Sequence, residues 1–279
     1  PDIGILWTGD KVVACIDKPT MQFVNPLLKR KAFIWWNFPV SDYVRDRLLL
    51  GAVYGNGTDI DDDISAFISN PMEHAEASKI ALFSIADYAW NMDAYKSDAS
   101  WRRAVRYLMP GHAAALQVFA SHNSDLGGNE HDFRREESEQ IRPALERLLD
   151  AYCREGKREV AAASAVTEEC ERMIASADLL LASDENPALI KEISPWLIQF
   201  KLLGEYGREV LCMLAAQCDG KKTELEKAAS HAKALQVLMK KIDATYNQNG
   251  FQPGVKTGSC HLKPAFDRLY QEVVQRTGK

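Results

Sequence analysis

An α/β portion followed by an all-α portion is the fold class predicted for this chain of 279 residues, and three observations predict it. Short continuous apolar runs recur about every 30 residues as far as Trp90, which is the length of one strand–helix–strand unit. Each run ends in polar residues and a chain-turning Gly or Pro. From Asp98 onward the strand signals stop, and the chain becomes rich in Ala, Leu, Glu, Lys and Arg at helical spacing.

The first run is Ile3-Gly4-Ile5-Leu6-Trp7, the second Ala32-Phe33-Ile34-Trp35-Trp36, and the third and weakest Ala66-Phe67-Ile68. Unbroken runs of this length fit parallel strands buried on both faces. The third leads into Ala77–Ala89, a good helix by composition. The boundary is expected near 92–99, giving domains 1–97 and 98–279. Ser97 or Asp98 can cap a helix beginning near Trp101, and Pro110 restarts it at a kink. Further helices are expected at about 134–155, 158–182, 187–217 and 222–246, with a short one near 264–276. Their joins are polar or Gly-rich, as at Asn123–Asn129 and Asp219–Lys222, and together they form a helical bundle. Asn247–His261 is the one long irregular stretch, either a functional loop or an excursion packed on the bundle.

Apolar residues make up 46% and charged residues 26%, the balance of a globular protein rather than a disordered one. A net charge of -5 argues against a general nucleic-acid or anionic-membrane binder. No apolar run is long enough to span a membrane. The six cysteines show no CxxC spacing, so neither a disulfide scaffold nor a structural zinc site is expected. No cofactor is expected either, since no Walker loop, dinucleotide fingerprint or GxSxG elbow occurs. The chain opens on Pro1 without a signal-peptide pattern and is read as a piece of something longer.

Polar residues at the carboxyl ends of parallel strands lie where α/β enzymes keep their sites. Here they are Thr8-Gly9, Asn37 before Phe38-Pro39, and Asn70-Pro71. Alternation puts Trp35 and Asn37 on one face and turns Trp36 toward the helices. With Asp42 close behind, an aromatic wall, an amide and a carboxylate can take a sugar, the ring against its CH face and the polar groups on its hydroxyls. A core Trp beside a turn Asn fits the same residues. The charge cluster Asp59-Ile60-Asp61-Asp62-Asp63 precedes the third strand, at its amino end, and reads as a solvated helix start rather than an acid/base pair. His74 lacks the companion histidine that a metal site needs.

Trp35–Leu50 (WWNFPVSDYVRDRLLL) resembles the bacterial β-N-acetylglucosaminidases of glycoside hydrolase family 84, the O-GlcNAcase family, members of which are also described as hyaluronidases. Leu6-Trp7-Thr8-Gly9, Gly51–Gly55, Ser69–His74 (SNPMEH), His122–Gly127 and Gln248–Gly258 (QNGFQPGVKTG) resemble the same family, in order along the chain. The resemblance implies a (β/α)₈ barrel followed by a helical bundle, with the three strands here as the last three of the barrel. It implies that Trp35 lines the acetamido pocket, that Asn37, Asp42 and Asn70 bind the sugar with Asp42 on O4 and O6, and that Thr8 and Val12 lie near the rim. It implies substrate-assisted retaining hydrolysis, in which the substrate's acetamido oxygen attacks the anomeric carbon and an Asp-Asp pair supplies acid/base chemistry. That pair belongs to the fourth strand and this chain begins near the sixth, so no catalytic residue is expected in it. The Asp61-Asp62-Asp63-Ile64 string only mimics the pair. The family's aromatic hydroxyl and Lys/Gly contacts from early strands are also missing. The implied partners are a β-GlcNAc glycoconjugate and the amino-terminal half of the barrel. A lone fragment is expected to self-associate through open sheet edges. Secretion or the periplasm is the compartment the resemblance suggests. A non-catalytic helical interaction module and a GlcNAc-binding protein are the competing readings.

Overall fold

The computed structural model describes residues 3–125 and 135–277 and is mostly helical, with one small parallel sheet. The chain folds as two compact units. The first takes the residues up to Val44, Leu48–Ala113 and the described part of Ser124–Glu136, and the second takes Arg45–Arg47, Ala114–Asn123 and Glu137 onward.

The first unit is built on three strands, β1 (Leu6–Trp7), β2 (Ala32–Pro39) and β3 (Ile64–Asn70), hydrogen-bonded in the order β1-β2-β3 and all parallel. Each crossover needs a helix or a long loop. The first is α1 (Lys18–Leu28), which starts because the Asp17 carboxylate accepts the Thr20 amide and Pro19 occupies its first turn. It ends at Lys29 in the left-handed region, φ 55°. On β2 the period of two divides the residues sharply. Ala32, Ile34, Trp36 and Phe38 are buried, and α1 and α2 (Ala75–Trp90) pack on the sheet. Trp36 is fully buried, packs at a tilt on Phe38 and edge-on against Phe67, and donates its Nε1–H to the Ala14 carbonyl.

The other face departs from the expectation of strands covered on both sides. Leu6, Trp35 and Ile68 are 50%, 37% and 38% exposed. Among the described residues no strand extends the sheet beyond β1 or β3. The strands also run 6–7, 32–39 and 64–70 where the apolar runs suggest 3–7, 32–36 and 66–68. Polar Asn37 and Asn70 thus belong to strands rather than to the turns after them.

α3 is Ser97–Leu108, starting four residues before Trp101, with Lys96 at its cap and no side-chain capping bond. It packs on α2 with Trp101, Ala104 and Val105 buried, and the Trp101 indole donates to the Leu50 carbonyl. The first compact unit therefore runs to Ala113, beyond the change in composition at 97/98. Pro110 lies in a break between α3 and α4 (Ala113–Ser121), not at a kink in one helix.

The second unit is a bundle of α4, α5 (Arg142–Glu155), α6 (Val160–Leu181), α7 (Pro187–Cys218), α8 (Lys222–Asp243) and α9 (Leu262–Thr277). The expected join at 123–129 and the expected helix start at 134 fall partly or wholly in 126–134, outside the described residues. Described helix begins only at Arg142, after a turn in which Ser138 holds φ 60° and ahead of Pro143 in the first helical turn. α7 is the central element and packs on α6, α8 and α9. Its two interior glycines permit this. A Cβ on Gly207 would stand 2.5 Å from Phe266 and 2.8 Å from the Cys170 sulfur. Gly207→Ala is expected to cost about 1–3 kcal/mol by overpacking, whereas Gly250→Ala, in open space, should be neutral. Thermal unfolding of the two variants checks this, and equal midpoints would refute the close approach. The buried Glu137 carboxylate accepts the Cys260 and His261 amides at the amino end of α9, where negative charge is favoured. No helix among the described residues is long and apolar enough to cross a membrane.

Candidate functional site

The carboxyl ends of the three strands carry the residues singled out from sequence. Trp35 and Asn37 share the open face of β2, while Trp36 points to the helices. The Trp35 Nε1–H donates to Asn37 Oδ1 at 3.0 Å. Asn70, the last residue of β3, donates its Nδ2–H to the same oxygen at 3.1 Å. Asn37 Nδ2 in turn donates to the Val12 carbonyl at 2.7 Å. One amide thereby ties two strands to the loop after β1. An amide nitrogen carries two hydrogens and an amide oxygen two lone pairs. The network consumes both acceptor positions of Asn37 and leaves its second N–H, with the Asn70 carbonyl oxygen, for a ligand's hydroxyls.

The remaining residues lie around this core. Thr8 is half-buried directly after β1. The Val12 side chain is 74% exposed although its carbonyl is held. Asp42 is exposed in the turn that the Val44 amide closes onto the Ser41 carbonyl at 2.9 Å. The set thus offers an aromatic ring, two amides, a hydroxyl and one carboxylate, which suits a sugar's CH face and hydroxyls. A single carboxylate makes no acid/base pair.

The acidic string sits at the other end of the sheet. Asp61–Asp63 form a 3₁₀ turn that enters β3 at its amino end. Asp63 pairs with Lys18 at 2.5 Å, and its carbonyl accepts from Asn25 at 2.8 Å. Both contacts fasten this turn to α1. The Asp63 hydrogen bond, aided by the charges of Asp63, Asp59 and Asp61 and opposed by desolvation, raises the Lys18 pKa above its ordinary value. His74 caps α2 through its backbone, its carbonyl accepting the Ser78 amide. Among the described residues no three His, Cys, Asp or Glu side chains gather to hold a metal. None of the six cysteines is in a disulfide.

In the second unit a polar chain escapes sequence reasoning. His122 stands within hydrogen-bond distance of Ser138 Oγ (2.7 Å) and Glu169 (2.6 Å), all three buried. The pair is 47 residues apart and carries no periodic signal. The irregular stretch after Tyr246 packs on this unit. Asn247 Nδ2 donates to the Arg45 carbonyl, Lys256 bonds Asp46 through both its amide and its ammonium group, and Gln199 donates to the Val255 carbonyl.

Comparison with known proteins accounts for both units. A family model described as beta-N-acetylglucosaminidase matches residues 1–121, and one described as bacterial GH84, post-catalytic domain, matches residues 137–270. The chain belongs to glycoside hydrolase family 84. The family 84 assignment agrees with single relatives. Protein O-GlcNAcase of Rattus norvegicus and that of Mus musculus are each 34% identical over 100 residues, 35% of this chain and 11% of theirs. The solved structure of CpGH84D matches 99% of this chain and 46% of its own at 27% identity and TM-score 0.86. That of CpGH84B matches 96% and 45% at 25% identity and TM-score 0.85. A Thermobaculum terrenum O-GlcNAc hydrolase mutant, 21% identical with TM-score 0.77, shares the fold over 100% of this chain and 57% of its own. The family 84 chain described here thus spans less than half of either CpGH84 structure and about a tenth of the curated relatives it matches.

Proposed function

We propose that this chain is the sugar-holding portion of a retaining exo-β-N-acetylglucosaminidase that removes terminal β-linked GlcNAc from glycoconjugates. The observation that carries the reading is the Trp35–Asn37–Asn70 network at the carboxyl ends of parallel strands, where barrel enzymes hold their substrates. The family models and the likeness to Protein O-GlcNAcase support the activity class. In this reading the three strands are the last three of an eight-stranded barrel, the barrel portion is 1–97 by composition, and the bundle from 98 onward follows it.

Trp35 walls the acetamido pocket, Asn37 and Asn70 bind the sugar hydroxyls, Asp42 accepts from O4 and O6, and Thr8 and Val12 stand at the rim. Their task is to hold the sugar so that its own acetamido oxygen lies behind the anomeric carbon. That oxygen forms the new bond as the glycosidic bond breaks, so no enzyme nucleophile is needed. An Asp pair on barrel strands outside this chain orients the acetamido N–H and protonates the leaving oxygen, then deprotonates the incoming water. Asp62 and Asp63, at the amino end of β3, take no part. The presence of one carboxylate among the sugar-facing residues also favours a second reading for the chain in isolation, a GlcNAc-binding protein without turnover.

A fluorogenic β-GlcNAc glycoside tests both. The chain alone is expected to bind the sugar and release no fluorophore. The full-length parent is expected to turn over, and Asp42→Ala in it to lose about 10–100-fold in kcat/KM, the size of one hydrogen bond to a charged group. Turnover by the chain alone that vanishes in Asp62→Asn would overturn the placement of the acid/base pair. An inactive parent would overturn the activity.

A further inference from the structure

The helical unit holds an open cavity of about 750 Å³, formed entirely by its own residues. That is within the size range of small-molecule sites, about 300–1,000 Å³. Its wall combines the carboxyl half of α8, the stretch 256–259 and the first turns of α9.

The charge of the wall runs opposite to that of the chain. Arg47, Lys240, Lys256 and Lys263 face two carboxylates, Asp243 and Asp267, in a protein of net charge -5. Both carboxylates are already engaged. Asp243 accepts the Val255 amide at 2.9 Å, and Asp267 takes the Tyr206 hydroxyl at 3.0 Å together with Lys263. A third carboxylate, Asp46, pairs with Lys256 at 2.6 Å and with Arg47 at 3.5 Å. Lys240 is exposed and has no ion-pair partner among the described residues.

Two further wall residues are more than nine-tenths buried and carry an oxygen with no hydrogen-bond partner. These are Gln199 Oε1 and Thr257 Oγ1. The Gln199 amide has its orientation set, because its nitrogen donates to the Met239 and Val255 carbonyls. Its oxygen therefore waits for a donor. A buried polar atom without a partner is costly and uncommon. The Tyr270 ring and the Gln236 and Gln271 amides complete a lining of aromatic and hydrogen-bonding groups.

We propose that this cavity is a binding site for an acidic saccharide, a sugar bearing a carboxylate or a phosphate. Hydroxyl groups supply the donors that Gln199 and Thr257 lack, the anionic group meets Lys240, and Tyr270 offers its ring to the sugar. A purely apolar ligand would leave the two oxygens unpartnered, and a neutral sugar would leave Lys240 unanswered. The site is separate from the activity proposed above and does not depend on it.

Calorimetric titration of the whole chain tests this with D-glucuronate, glucose 6-phosphate, D-glucose and inorganic phosphate. One of the two acidic sugars is expected to bind at least about tenfold more tightly than either glucose or phosphate. Which of the two does so identifies the anionic group. Added salt should weaken it. Lys240→Met should lower that affinity about tenfold and the near-isosteric Thr257→Val several-fold, with the unfolding temperature of the exposed-lysine variant unchanged. No binding by either acidic sugar overturns the proposal. So does phosphate binding as tightly as the acidic sugars, which would mean an anion site only. So does binding that both variants leave intact, which would place it elsewhere.

Discussion

Asn37→Ala is expected to lower kcat/KM of the full-length parent toward a β-GlcNAc glycoside by about 10²–10³, the scale on which misplaced binding groups cost rate. The side chain is hydrogen-bonded to three other residues. Its oxygen takes the Trp35 indole and the Asn70 amide, and its nitrogen holds the Val12 carbonyl. Alanine releases all three at once, so the ring and the second amide lose their positions as well as the sugar losing Asn37 itself. The cost in stability should be modest, about 1–2 kcal/mol, because the face is open and water can replace part of what is lost. Loss of function out of proportion to loss of stability is the signature to look for. Asn37→Asp keeps the acceptor for Trp35 and Asn70 but sets an oxygen against the Val12 carbonyl. It should therefore recover part of the rate. Steady-state kinetics together with urea unfolding of the three proteins decides the matter. An Asn37→Ala rate within threefold of wild type would mean that Trp35 and Asn70 hold themselves, and that the network is not the sugar site.

The residues of that network were readable from sequence because strand geometry is local. A period of two separates Trp35 from Trp36 without any knowledge of the rest, and the structure buries Trp36 while leaving Trp35 partly open. Strand ends carrying Asn were readable for the same reason. The helix ends were harder. α3 begins at Ser97 with no capping bond to announce it, and the chain between α4 and α5 turns through Ser138 in a left-handed conformation that nothing in its side chain demands. The second unit's polar interior was not readable at all. Glu137 reaches amides 123 and 124 positions later, His122 reaches Glu169, and the cavity gathers Gln199, Lys240 and Thr257 from three segments. Such pairings follow from how helices pack, and pattern along the chain does not encode them. The stretch after Tyr246 shows the middle case. Its irregularity was evident, but its purpose depends on Asn249 accepting the Phe251 and Gln252 amides and on Asn247 reaching Arg45 and Gly254.

Glu169→Ala is expected to cost about 3–5 kcal/mol in the helical unit, since it removes one member of a buried polar pair and leaves the His122 ring with Ser138 alone. The His122 ring is only 2% exposed and rests against Phe200, so no solvent replaces the lost carboxylate. Burial by itself would push the Glu169 carboxyl upward. The His122 hydrogen bond and charge, with the Arg172 ion pair beside it, outweigh burial and hold the carboxyl below its ordinary value. A carboxyl whose pKa is lower in the folded than in the unfolded chain contributes stability above the unfolded value of about 4.3. That contribution is lost as pH falls through the folded value. Stability of the wild type should accordingly drop on acidification below about pH 4.3, and Glu169→Gln, which keeps the shape and a hydrogen-bonding group, should lack that part of the slope. Urea unfolding of wild type, Glu169→Gln and Glu169→Ala across the acid range separates the two contributions. If Glu169→Gln follows the wild-type slope, the carboxylate charge is not what holds His122. If Glu169→Ala falls within about 1 kcal/mol of wild type, the pair contributes no more than an ordinary surface contact.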